Sequence, residues 1–212
     1  MIPRQAPPDR ADRFLFLGNH LALDFLNTRP VLNGQPTELI PDFNALLRWF
    51  HAAQLISSRD MERLRRRWQG SACAQQTAEA MRDLREKLRK DILAWEDGGA
   101  IHPSTVAELN RLMADHPMLT RLGASGSARA TEMWFAPRRP EDLLAPLAYS
   151  TALLFANVDR ERVRKCANCV GHFLDTSKKG TRRWCSMALC GNRLKVAAYA
   201  ARRRGRANAR TT

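Results

Sequence analysis

No stretch of this sequence is long and apolar enough to cross a membrane as a helix. The longest uncharged run, Leu143 to Val158, has 16 residues and contains Pro146, short of the roughly 20 that a span needs. The opening residues MIPRQAPPDRADR lack the apolar core of a secretory signal, so residues 1–13 are expected to form a flexible arm on a cytoplasmic protein. The catalytic signatures GxSxG, HExxH, P-loop and Gly-rich strand-to-helix turn are missing, and the five histidines, at 20, 51, 102, 116 and 172, have no motif spacing. The expectation is therefore a protein that is not an enzyme. Lysine is scarce, 6 against 29 arginines. What remains is a chain of 212 residues, 44% hydrophobic and 26% charged, enough for one medium domain with a real core plus a small module.

The net charge of +14 sits almost wholly at one end. From Arg160 onward there are 15 Lys or Arg against two acids, Glu161 and Asp175, whereas residues 1–159 hold 20 bases and 19 acids. A near-neutral body with a basic last quarter is the electrostatic footprint of a phosphate-bearing partner. An Arg-rich habit of the whole chain does not explain a neutral first three quarters.

Four of the five cysteines lie in the same quarter. Cys166 and Cys169 form a CxxC, Cys185 and Cys190 a CxxxxC, with 15 residues between the pairs. Zn²⁺ prefers four donors at tetrahedral corners, and two short loops that each present two sulfurs supply them. Two disulfides, or His172 in place of one sulfur, are the alternatives. No βαβ pattern surrounds the CxxC as a redox motif requires. Cys73 stands apart and reads as a small packing residue.

The body reads as mainly α with one hairpin. LALDFLNT, residues 21–28, suits a mostly buried helix closed by Thr28-Arg29-Pro30. Asp42 opens a second helix through Phe43, Leu46, Leu47 and Phe50, and Ser57 or Ser58 caps a third through Leu64 and Trp68. A long helix runs from about Ala74 to Trp95 with Met81, Leu84, Leu88 and Ile92 on one stripe, ending at Gly98-Gly99. Thr105 and Glu108 have capping-box spacing for a short helix. Residues 118–122 and 128–135 flank a Gly-Ser-rich turn and read as a β-hairpin. After Pro140 an apolar helix leads towards the cysteines. The carboxylate in LALDFLNT is the one suspicious polar group. A buried acid must be paired, either by backbone amides or an arginine of the same domain, or in a ligand pocket formed by Asp24, Asn27 and Thr28.

The stretch CANCVGHFLDTSKKGTRRWCSMALCGNRLK, residues 166–195, resembles the CGNR zinc-finger family, whose namesake is Cys190-Gly191-Asn192-Arg193. LDFLNT resembles the ABATE domain that accompanies this finger in stress-induced bacterial transcription regulators. The order of parts agrees over essentially the whole chain. The resemblance implies an ABATE-like helical domain over 14–160, a zinc finger with basic helix and tail over 161–212, and a DNA-binding regulator.

As a physical object, the finger has almost no apolar core, so metal binding would supply its folding energy. Phe173-Leu174 and Arg183-Trp184 are expected as two short strands, with Cys190 in the first turn of a helix to about Arg204. Four thiolates on Zn²⁺ carry a formal charge of about −2, which cations such as Arg182 or Arg193 would offset. Lys178, Lys179, Arg182, Arg183, Arg193, Lys195, Tyr199, Arg202, Arg203 and Arg206 are the expected contacts to double-stranded DNA, with Lys195, Tyr199, Arg202 and Arg206 on one helical stripe. The body would sense a small-molecule ligand or form a homodimer. The alternative is an RNA-binding or protein-interaction module, although Trp184 and Tyr199 alone make a poor stacking platform.

Overall fold

The computed structural model describes residues 14–32, 34–125, 128–169 and 171–191. The expected arm over 1–13 and the expected helix beyond Gly191 lie outside these residues. Among the described residues the fold is mainly α, with short two-stranded antiparallel sheets.

The first helix, α1 (Leu21–Leu26), is buried on every side. It can be so because its polar groups are satisfied locally. Asp24 accepts the Gly18 amide at 2.6 Å, and Arg89 donates to the Leu26 carbonyl at 2.6 Å, where the helix leaves its last C=O groups unpaired. Position 18 requires glycine: a Cβ there would lie 2.8 Å from the Asp24 backbone N and from its Oδ1.

A short hairpin of β1 (Val31–Leu32) and β2 (Gln35–Pro36) leads to α2 (Phe43–Ala52), whose N-cap Asp42 accepts the Ala45 amide at 2.7 Å. Ser57 caps α3 (Ser58–Trp68) through the Asp60 amide at 3.0 Å. The long helix α4 (Ala72–Glu96) buries the expected stripe Met81, Leu84, Leu88 and Ile92, and ends at Gly98 with φ +89°. Within that stripe Arg85, 1% exposed, donates to Thr28 Oγ1 and Glu38 Oε1, both at 2.9 Å. Charge enters this core only with its partner attached.

The start of α5 (Pro103–Asp115) corrects one expectation. Its cap is His102, with Pro103 in the first turn, and no Thr105–Glu108 capping box forms. Thr105 is instead buried and gives its hydroxyl to Asp91, which also takes the His102 amide at 3.1 Å. A tertiary partner outcompetes the local cap.

β3 (Leu119–Ser125) pairs with β4 (Ala128–Trp134) in the expected hairpin. A 3₁₀ turn, Pro140–Leu144, feeds α6 (Ala145–Asn157). The chain then forms β5 (Val163–Lys165) and β6 (His172–Leu174), antiparallel with Val163 opposite Leu174. Arg183-Trp184 forms no strand, contrary to expectation: β5 is the partner of β6. Among the described residues, one backbone bond joins the Arg183 region to the cysteine loop, Ala167 N–H to the Arg183 carbonyl at 3.0 Å.

The finger does not hang from the body. α1 packs against α4, α6 and β6 alike, and Val163 of β5 is buried in the same apolar cluster as Leu23 and Leu147.

Candidate metal centre and nucleic-acid face

Cys166 directly follows β5, and its amide donates to the Gly171 carbonyl at 2.8 Å, closing the CxxC segment into a tight loop before β6. Cys185 and Cys190 come from the other side. The chain between them widens into a π-type turn, Met187–Gly191, in which both the Cys190 and the Gly191 amides reach the Ser186 carbonyl, at 2.9 and 3.0 Å. The four sulfurs converge within 4.8 Å of one another, with Cys185 3.6 Å from both Cys169 and Cys190. A tetrahedron of Zn–S bonds has edges of about 3.8 Å, so the donor set fits one Zn²⁺.

Without a cation such a cluster cannot ionise fully. A hydrogen bond from the Cys185 thiol, helped by the Gly171 amide, lowers Cys169 to about 5. Cys185 is pushed up because it donates that bond and is buried. Burial likewise raises Cys190. A dication would remove this frustration by making all four thiolates favourable. His172 is not among the converging donors; its Nδ1 lies 2.8 Å from Glu96 Oε1 on α4.

A ring of polar contacts braces the cysteines, most of them made by residues outside the expected site set. Asp175, fully buried, accepts the Ser177 amide at 2.9 Å and the Arg182 amide at 2.7 Å. Burial raises its pKa, but the hydrogen bonds outweigh this and hold it below the ordinary 3.8. Arg162 donates to the Asp175 and Ser177 carbonyls at 3.2 and 2.9 Å, and Arg164 to the Gly180 carbonyl at 2.6 Å. Together they fold residues 175–182 into a turn that carries the chain to Cys185. The sequence signal was present in Asp175-Thr176-Ser177, an Asp with a Ser two residues on.

Asp24, Asn27 and Thr28, the expected pocket residues, each meet partners within the protein. Asp24 takes the Gly18 amide; Thr28 donates to the Phe25 carbonyl at 2.7 Å and receives Arg85. The Asn27 amide spans to the finger, donating to the His172 carbonyl and accepting the His172 N–H, each at 2.8 Å. These side chains are occupied by the protein itself. A cavity of about 330 Å³ lies elsewhere, between the start of α2 and α4, lined among others by Asn44, Gln75 and Arg82.

Of the expected DNA contacts, Lys178, Lys179 and Arg183 are exposed on the finger. Arg182 is committed differently: it donates to the Cys185 carbonyl and its guanidinium lies 5.2 Å from the centre of the Phe173 ring. It braces the metal loop, one of the two roles expected of it. Arg193, Lys195, Tyr199, Arg202, Arg203 and Arg206 lie outside the described residues.

A helical body joined to a four-thiolate zinc finger by shared core and hydrogen bonds defines a zinc-finger protein of two intimately packed parts. The comparisons agree. Residues 19–157 match the ABATE family, described as "Putative stress-induced transcription regulator", and residues 162–203 match the CGNR zinc finger. The chain belongs to the ABATE family, and Cys166, Cys169, Cys185 and Cys190 are the candidate ligands of its zinc finger. No curated protein matches it significantly.

Proposed function

We propose that this protein is a DNA-binding transcription regulator in which the finger and the basic segment after it contact duplex DNA while the body senses a ligand or forms a dimer. One observation carries this reading. From residue 162 to the end there is a single acidic side chain, Asp175, and it is fully buried with both oxygens engaged. The exposed Lys178, Lys179 and Arg183 therefore meet an approaching phosphate backbone with no carboxylate beside them on the finger. The family's description as a transcription regulator supports the same partner.

For the dimer, the β3–β4 hairpin is the supporting feature. Among the described residues no backbone hydrogen bond joins it to another element, and Leu122 is 68% exposed. An isolated two-stranded hairpin is marginal in water and gains from a second copy along its open edge. Fluorescence anisotropy of the zinc-loaded chain on labelled duplex DNA tests the first half of the proposal. Steeply salt-dependent binding is the expected result. Failure to bind duplex DNA at low salt would overturn it in favour of a protein-interaction role.

A further inference from the structure

The Asn27 side chain bridges the backbone N–H and carbonyl of His172, and the peptide group that carries this N–H closes the metal loop. The unit linking Gly171 to His172 is gripped on both sides. Its carbonyl accepts the Cys166 amide at 2.8 Å, and its N–H donates to Asn27 Oδ1, also at 2.8 Å. Asn27 Nδ2 adds a bond to the next carbonyl, that of His172, at 2.8 Å. The Gly171 backbone also lies beside the Cys169 sulfur. So one peptide and its neighbour touch Cys166 on one side, Cys169 on another and Asn27 on the third.

The approach is close enough to restrict the sequence. A Cβ on residue 171 would lie 3.0 Å from Asn27 Oδ1 and 3.5 Å from Cys169 Sγ, so glycine lets the amide and the sulfur pack against the same backbone. Among the described residues, no finger side chain bonds the His172 N–H or carbonyl. Other body contacts of β6 are His172 Nδ1 with Glu96 Oε1 at 2.8 Å, which holds the ring and not the loop backbone, and, farther along the strand, Leu174 N–H to the Gly18 carbonyl at 2.7 Å and Asn19 Nδ2 to the Leu174 carbonyl at 3.0 Å.

We infer that Asn27, on the body, is a positioning residue of the zinc centre: it fixes the loop that aims Cys166 and Cys169 at the metal. Groups that orient ligands from outside the coordination sphere typically change metal affinity by about 10- to 100-fold when lost. Coupling of this kind is reciprocal, so whatever Asn27 contributes to zinc affinity, bound zinc contributes to the docking of β6 on α1. The LNT segment and the finger are then one functional unit although 138 residues separate Asn27 from Cys166. This inference does not depend on the proposed DNA partner.

The test compares three full-length proteins: wild type, Asn27→Ala, and Leu64→Ala as a body-core lesion on α3. Zinc affinity is measured by competition with a chromophoric chelator, stability by thermal melting, and site geometry by the visible absorption of the Co²⁺-loaded forms. The expected result is an affinity loss of about 10- to 100-fold in Asn27→Ala, with altered Co²⁺ bands, and an affinity within about threefold of wild type in Leu64→Ala even where its melting temperature falls further. Wild-type affinity in Asn27→Ala, or equal losses in the two variants, would overturn the inference. Should Asn27→Ala not fold, Asn27→Asp keeps an acceptor for the His172 N–H but loses the Nδ2 donor. An intermediate affinity loss supports the inference and an unchanged affinity overturns it.

Discussion

Leu174 of the finger donates its backbone N–H to the carbonyl of Gly18 in the body at 2.7 Å. Val163 is buried among body residues and Leu17 packs against the cysteine cluster, so with this bond each side of the boundary near residue 160 seats residues in the other's core. The following predictions rest on that continuity and on the finger's own bracing.

The first concerns zinc removal. Replacing Cys185 by Ser, or chelating the metal, should abolish stoichiometric zinc and release the loop that α1 grips. Since β5 and β6 cover part of the body, the loss should lower the melting temperature of the helical signal as well as unfold residues 166–191. Hydrogen exchange would show protection falling in α1 together with β6. A body ending near Arg160 should be less stable than the full chain because the seat of Val163 and Leu174 is uncovered. Calorimetry of the two proteins checks this: equal melting temperatures would mean the finger is an independent appendage.

Asp175→Ala should be severe for its size. It leaves the half-buried Ser177 and Arg182 amides without acceptors and deprives Arg164, 3.8 Å from Asp175 Oδ2, of its counter-charge. An unsatisfied buried group costs about 1–3 kcal/mol, so the variant should lose about 2–5 kcal/mol in chemical denaturation. The carboxylate's folded pKa lies below 3.8. Its contribution is therefore complete above that value and drains away as pH falls through the lower folded pKa. In Asp175→Asn the loss of stability between pH 5 and 2 should be shallower than in wild type, by urea melts across that range.

Salt dependence tests the DNA face. Each phosphate contact contributes about −0.9 to the slope of log affinity on log salt, so about five contacts give a slope near −4 to −5. Replacing Lys178, Lys179 and Arg183 by Ala should weaken binding to every duplex and flatten the slope by about 2 to 3. The Arg202, Arg203 and Arg206 triple variant should do the same. Arg182→Ala should behave differently, lowering zinc affinity first because that side chain braces the Cys185 carbonyl. A wild-type slope in both triple variants would remove DNA from the account.

Gly18→Ala probes the entry to α1. The added Cβ would meet the Asp24 backbone and carboxylate at 2.8 Å, and forced shifts in a packed core cost about 1–3 kcal/mol. A melting temperature lowered by several degrees, with zinc content intact in the folded fraction, is the expected outcome.

Local chemistry made much of this legible from sequence. The caps at Asp42 and Ser57, the α4 stripe, the hairpin and the two cysteine pairs all depend on residues a few positions apart, and short-range periodicity and spacing report them. The misplaced features involve competition from afar. Thr105 abandons a capping box for Asp91, and β6 pairs with β5 instead of residues 183–184 because the turn stapled by Asp175 carries that segment towards the metal.

Residue type and spacing suffice for a helical body, two cysteine pairs spaced for zinc and a charge imbalance. Folding chose the partners of the LDFLNT polar groups. Residue type left them between backbone or arginine partners of the same domain and a ligand pocket; Asp24 meets the Gly18 amide, Thr28 meets Arg85, and Asn27 meets the finger's His172 backbone at 2.8 Å. A side-chain amide pairs with whatever backbone folding brings to it, and sequence distance carries no record of that meeting.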